Sequence, residues 1–151
     1  PRVEKLLTQS GLGDYILRSR LEAGGRMGRK VVLWDTFGEL FKVYSCATLV
    51  FCGASLVPKR GQNILEPAAW GKAVLYGPSM EDFMDAKELM ESCSAGIPVG
   101  SAAELAEKGN YLLDHPHELA SRGKSGREAV LSNRGATRRN AELAIRLLEG
   151  L

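Results

Sequence analysis

The sequence predicts an α/β domain in which a parallel β-sheet is covered by helices on both faces. Two observations carry that expectation. The segments Val31-Val32-Leu33-Trp34, Thr48-Leu49-Val50-Phe51 and Ala73-Val74-Leu75-Tyr76 are charge-free runs without polar alternation, the pattern of strands buried on both faces. Between them lie segments of helical spacing, so strand and helix alternate along the chain.

In order, Val3, Leu6 and Leu7 fall at i, i+3 and i+4, which predicts an amphipathic helix from Val3 to Gln9 stopped by Gly11 and Gly13. Tyr15-Ile16-Leu17 is a short β-prone run, and the charged, glycine-containing stretch from Leu21 to Lys30 reads as a loop. After the Val31 strand, Leu40, Phe41 and Tyr44 predict a helix over Phe37 to Ser45. The Thr48 strand closes at Gly53, and Ala54 to Gln62 is a loop. A helix from Ile64 to Trp70 ends at Gly71, a position suited to a left-handed cap. The Ala73 strand stops at Gly77-Pro78. A helix over Glu81 to Cys93, a strand at Ile97-Pro98-Val99 and a helix over Ser101 to Leu112 follow. Ser101 is the expected N-cap of that helix, with Glu104 completing a capping box. Helices over Pro116 to Ser132 and Thr137 to Glu149 finish the chain.

The 151 residues are expected to form a single domain over 1–151. A net charge of +2, from 20 basic and 18 acidic residues without a basic block, excludes nucleic acid as the natural partner. Cys46, Cys52 and Cys93 have no C-x-x-C spacing, so neither a disulfide framework nor a zinc site is indicated. Cys46 and Cys52 read as small core residues in a reducing compartment. No apolar run approaches the roughly 20 residues that span a bilayer. The chain opens on Pro1 rather than Met, which is read as the start of a fragment.

Sheets of this kind bind ligands beyond the carboxyl ends of their strands. Attention therefore falls on Asp35 to Glu39, Gly53 to Asn63, and Gly77 to Asp82. In Gly61-Gln62-Asn63-Ile64-Leu65-Glu66-Pro67, Asn63 is a natural N-cap and Glu66 a natural capping-box partner. The same geometry makes an anion seat. Free N–H groups at a helix start accept a phosphate, Gly61 permits close backbone approach, and Glu66 can bind two ribose hydroxyls. Lys59 and Arg60 add positive charge beside that seat, though solvated surface charge explains the pair equally well. In Phe37-Gly38-Glu39, Phe37 is either a core aromatic or a platform for a base or sugar. Gly38 opens a helix, and Glu39 complements its dipole. His115 and His117 sit in a polar turn far from these loops and read as surface residues. No catalytic base or P-loop is recognisable: the domain holds a substrate without reacting it.

Four segments in this order resemble the C-terminal domain of the 3-deoxy-D-manno-octulosonic acid (Kdo) transferases, glycosyltransferases that act on lipid A. They are Pro1-Arg2, Asp35-Thr36-Phe37-Gly38-Glu39-Leu40, Phe51-Cys52-Gly53-Ala54-Ser55-Leu56-Val57, and Gly61 to Ala68. The tail from Gly123 to Arg139, with Gly135-Ala136, is also similar. The resemblance implies a Rossmann-like domain of GT-B architecture that binds the donor CMP-Kdo through Pro1, Arg2, Phe37, Gly38, Glu39, Asn63, Ile64, Leu65 and Glu66. Arg2 and Asn63 would address phosphate and Glu66 the ribose. It further implies transfer to a lipid A precursor in lipopolysaccharide biosynthesis, at the cytoplasmic face of the inner membrane and without a metal. The acceptor domain, the catalytic base, the membrane-associating segment and the first strand of this domain are all expected to precede Pro1, so the chain alone is expected to be inactive and soluble. Two positions depart from the family pattern: Arg60-Gly61-Gln62-Asn63 stands where Gly-Gly-His-Asn is usual, and Phe37 where Met is common. Gln62 does not titrate near neutral pH as His does. The readings kept beside this one are a GT-B transferase or epimerase using a UDP-sugar, and a non-catalytic binding module.

Overall fold

A computed structural model of the chain describes residues 2–21, 28–133 and 145–148. They divide into two compact units, Pro1–Leu40 and Phe41–Leu151.

In the first unit, α1 (Arg2–Gln9) shows the predicted amphipathic spacing. It ends in a left-handed Gly11 at φ 72°, while Leu12 N–H donates to the Leu7 carbonyl at 2.8 Å, closing the last turn as a glycine cap does. Strands β1 (Tyr15–Leu17) and β2 (Val31–Leu33) pair in parallel, Tyr15 opposite Val31. The Tyr15 hydroxyl donates to Glu4 of α1 at 3.0 Å. Residues of β2 are half-buried rather than fully buried.

In the second unit, α2 (Leu40–Val43) is a single turn that passes into a 3₁₀ turn at Tyr44–Cys46. Then come β3 (Leu49–Cys52), α3 (Leu65–Ala69), β4 (Ala73–Tyr76), a 3₁₀ turn at Glu81–Phe83, α4 (Met84–Ser92), β5 (Gly96–Pro98), α5 (Ala102–Asp114) and α6 (Pro116–Ser132). The strands are parallel in the order β3-β4-β5. The alternation is as predicted, but the five strands form two sheets rather than one. Pro98 sits on the edge strand β5, where a missing N–H is tolerated.

Strand β4 is buried along its whole length and divides the core. Val74 and Tyr76 face a cluster with Ile64, Ala68, Met80, Met90 and Ala95. Ala73 and Leu75 face another with Ile97, Val99, Leu112 and Leu119. Helices thus cover both faces of this sheet. The Tyr76 side chain is fully buried and its hydroxyl donates to Glu91 at 3.0 Å. Burial first, and the bond to Glu91 second, push its pKa well above 10. A raised native pKa favours the neutral phenol, so the stabilisation is complete below pH ~10, the free tyrosine value, and is lost as pH rises beyond it. Alkaline denaturation should therefore steepen above pH ~10, and Tyr76→Phe should flatten that limb in urea titrations.

Several boundaries differ from those predicted. The helix expected over Phe37 to Ser45 begins only at Leu40, after Gly38 at φ 81°. Cys46 is exposed while Cys52 is buried: Cys46 closes a 3₁₀ turn that buries none of its residues, whereas Cys52 ends β3 within the core cluster. Ser101 caps α5 as expected, accepting from Glu104 N–H at 3.1 Å. Glu104, however, reaches past the cap to Gly100 N–H at 2.6 Å. Pro1, residues 22–27 of the predicted loop and Gly135-Ala136 lie outside the described residues. Of the predicted final helix, residues 145–148 are described and are helical.

Candidate functional site

The loops leaving β3 and β4 stand at the carboxyl end of the three-stranded sheet, and buried hydroxyls tie them together. Ser55 is fully buried. Its Oγ donates to the Cys52 carbonyl at 2.5 Å and accepts from Gly77 N–H at 2.8 Å. Ser79 N–H donates to the Ser55 carbonyl at 3.0 Å. Three residues of the β3 loop are left-handed: Ala54 at φ 63°, Arg60 at 68° and Gly61 at 71°. For a non-glycine residue that conformation costs roughly 1–2 kcal/mol, and such strain gathers at functional loops.

Gly61 has a reason beyond the one expected. A Cβ there would collide with the Met80 thioether and lie 2.8 Å from the Ser79 carbonyl oxygen. The protein's own packing is thus sufficient to require a glycine there.

Beyond Gly61, Asn63 Oδ1 accepts from Leu65 N–H at 3.0 Å, and Asn63 Nδ2 donates to Glu66 Oε1 at 3.5 Å. The predicted cap is therefore half realised: Asn63 satisfies a free donor of the first turn, while Glu66 engages its side-chain amide. Helix α3 has five residues, shorter than predicted, so its dipole is weak and a phosphate would be held chiefly by its free N–H groups. Asn63 and Glu66 are half-buried. Ile64 is sealed in the core and offers a ligand its backbone alone, while Leu65 packs partly against that cluster with its N–H taken by Asn63 Oδ1. The Tyr44 phenol has its pKa raised by burial and, next, by the negative charge of the Glu66 carboxylate.

The charge beside the seat also differs from expectation. Arg60 is bound by Asp82, with Nε donating at 2.7 Å and Nη2 at 2.5 Å. That contact holds the guanidinium pKa up and the Asp82 carboxyl below its ordinary range. Arg60 is thus engaged within the protein, because a partner 22 residues downstream neutralises it. A cavity of about 490 Å³ opens beside Asn63 and Leu65, walled by Glu81, Asp82 and Asp85. Three carboxylates repel a phosphate and accept bonds from hydroxyls, so this cavity suits a sugar or ribose.

In the first unit, Phe37 is fully exposed, which removes the core-aromatic reading and leaves its ring open to a ligand. Glu39 does more than complement a helix dipole: it accepts from Arg18 Nη2 at 2.7 Å and from the Thr36 hydroxyl at 2.5 Å. Arg18 also lies 5.4 Å from the Trp34 ring centroid, a cation–π distance. Asp35 is held by Ser19 through its N–H at 2.9 Å and its hydroxyl at 2.6 Å. Arg2 is exposed at the start of α1.

His115 and His117 are exposed as predicted; the His115 ring stacks on Tyr111, centroids 4.0 Å apart. Sequence reasoning singled out the Gly77 to Asp82 loop but gave no role to Ser79 or Asp82, nor to Arg18 or Trp34. A short polar residue after a buried strand was the available signal for Ser79; nothing local marks the others.

A Rossmann-like parallel α/β architecture, with helices on both faces of the β3-β4-β5 sheet, is that of a GT-B C-terminal domain. No family model matches the chain, but individual proteins do. It is 32% identical over 137 residues to the 3-deoxy-D-manno-octulosonic acid transferase of Haemophilus influenzae, covering 90% of this chain and 32% of that protein. Against the enzyme of the same name from Aquifex aeolicus it is 37% identical over 95 residues, 63% of this chain and 27% of that protein. In structure it resembles the C-terminal CMP-Kdo binding domain of WaaA from Acinetobacter baumannii, with a TM-score of 0.76 and 23% identity over 85% of this chain and 66% of that one. The chain belongs to the 3-deoxy-D-manno-octulosonic acid transferase family and has the fold of its C-terminal domain. It spans about a third or less of the length of these curated relatives.

Proposed function

We propose that this chain is the donor-binding domain of an enzyme that transfers Kdo from CMP-Kdo to a lipid A precursor in lipopolysaccharide biosynthesis, with inversion and without a metal. The observation that carries the reading is the placement of Asn63 and Glu66 at the carboxyl end of the sheet, in a chain related to Kdo transferases over 90% of its length. Asn63 and the free N–H groups of α3 address the phosphate, and Glu66 takes the ribose hydroxyls. Ile64 contributes its backbone N–H, and Leu65, whose own N–H is taken by Asn63 Oδ1, borders the seat. On the family resemblance, Pro1, Arg2 and the exposed Phe37-Gly38-Glu39 segment are donor-contacting positions of the first unit, with Phe37 offering its ring to a base. The general base and the acceptor site belong to a preceding domain, and the whole enzyme works at the cytoplasmic face of the inner membrane.

Titrating CMP onto the chain should shift the backbone amides of Asn63 to Glu66 and Phe37 to Glu39 in NMR spectra, and UDP should shift them less. Silence at millimolar CMP, a binding free energy weaker than about −4 kcal/mol, counts against the reading. Stronger binding of UDP would move the assignment to a UDP-sugar enzyme.

A further inference from the structure

Resting on that donor reading, we propose that Ser79 is a positioning residue for the nucleotide seat: it fixes the Arg60-Gly61 turn from which Asn63 and Glu66 are presented. The segment after β4 grips that turn at three points. Ser79 Oγ accepts from Arg60 N–H at 2.9 Å, the Ser79 carbonyl and Met80 thioether fill the space over Gly61, and Asp82 holds the Arg60 guanidinium. The hydroxyl is itself oriented, since it donates to Glu81 Oε2 at 2.9 Å and the residue is nearly buried. Two successive left-handed residues, one of them an arginine, do not hold that conformation unaided. Released, the turn relaxes, and the side chains two and five residues beyond Gly61 lose their common direction. The nucleotide then meets Asn63 and Glu66 one at a time instead of together, which costs affinity through lost preorganisation.

The test is made on this chain with CMP as the probe. Ser79→Ala should raise the Kd for CMP about tenfold, the order expected for one buried hydrogen bond, and Ser79→Thr, which keeps the hydroxyl, should restore it. In the absence of nucleotide, Ser79→Ala should speed amide exchange at Arg60 about tenfold and leave Val74 and Leu75 of β4 unchanged. Asp82→Asn, at an exposed site that does not threaten folding, should raise the Kd about threefold. If wild type binds CMP and Ser79→Ala binds it equally well, or if Asp82→Asn binds more tightly, the positioning role is overturned. Tighter binding would mean that Asp82 competes with the phosphate for Arg60. If wild type does not bind CMP at all, the donor reading itself fails. The Arg60 exchange rate then separates the two failures, because it reads the grip without any ligand.

Discussion

Replacing Gly123 by alanine is expected to destabilise the domain by about 3 kcal/mol, the upper range for forcing atoms into a packed interior. Gly123 lies inside α6, and a Cβ there would collide with the Gly71 carbonyl oxygen, with the Gly71 carbonyl carbon 2.8 Å away and Ala73 N at 3.5 Å. Gly71 is the left-handed cap of α3 and Ala73 opens β4, so the obstacle is backbone held at both ends. Helix propensity pulls the other way: alanine gains about 1 kcal/mol over glycine in a helix interior. The clash wins because neither backbone can yield without lifting α6 from the sheet. Gly109, in α5, is the control. Its added Cβ would meet only the Leu49 side chain, at 3.9 Å, so Gly109→Ala keeps the propensity gain and should stabilise by up to about 1 kcal/mol. Urea midpoints of the two variants should move in opposite directions. Equal shifts would show that α6 does not depend on this contact.

That contact illustrates what the sequence conceals. The strand at Ala73 to Tyr76 and the helix at Pro116 to Ser132 are legible because burial leaves a periodic record in composition. The reason α6 carries a glycine at 123 is recorded 52 residues earlier, at Gly71, and no local pattern connects them. The site divides in the same way. The Asn63 cap is legible because Asn at a helix start with Glu three residues on is a capping pattern. The Arg60–Asp82 pair is not legible because its two halves belong to different loops, and the packing of Met80 and Ser79 over Gly61 is equally invisible in the local sequence. Composition leaves Phe37 between a core aromatic and a ligand platform; its full exposure removes the first. The short α2 follows from Gly38, whose left-handed backbone delays the helix to Leu40 although the apolar spacing begins sooner.

Glu66→Ala is expected to weaken CMP binding by about 1.5–3 kcal/mol, the worth of hydrogen bonds to a charged group, or roughly ten- to hundredfold in Kd. Its effect on folding should be far smaller. The contact it loses, to Asn63 Nδ2, is long at 3.5 Å, whereas the bond that closes the first turn of α3, from Leu65 N–H to Asn63 Oδ1, does not involve Glu66. A change of about 0.5 kcal/mol, the low end for a cap, is all that stability should register. The two readings of this residue therefore separate cleanly. A helix cap predicts a stability loss with CMP affinity unchanged, and a ribose ligand predicts the reverse. Glu66→Gln refines the comparison, because it keeps the shape and removes the charge. Since that charge helps hold the Tyr44 pKa up, both variants should lower it toward 10, the ordinary phenol value, in ultraviolet titration. A lowered Tyr44 pKa with intact CMP affinity would establish that the carboxylate was removed from its place and that the nucleotide never used it.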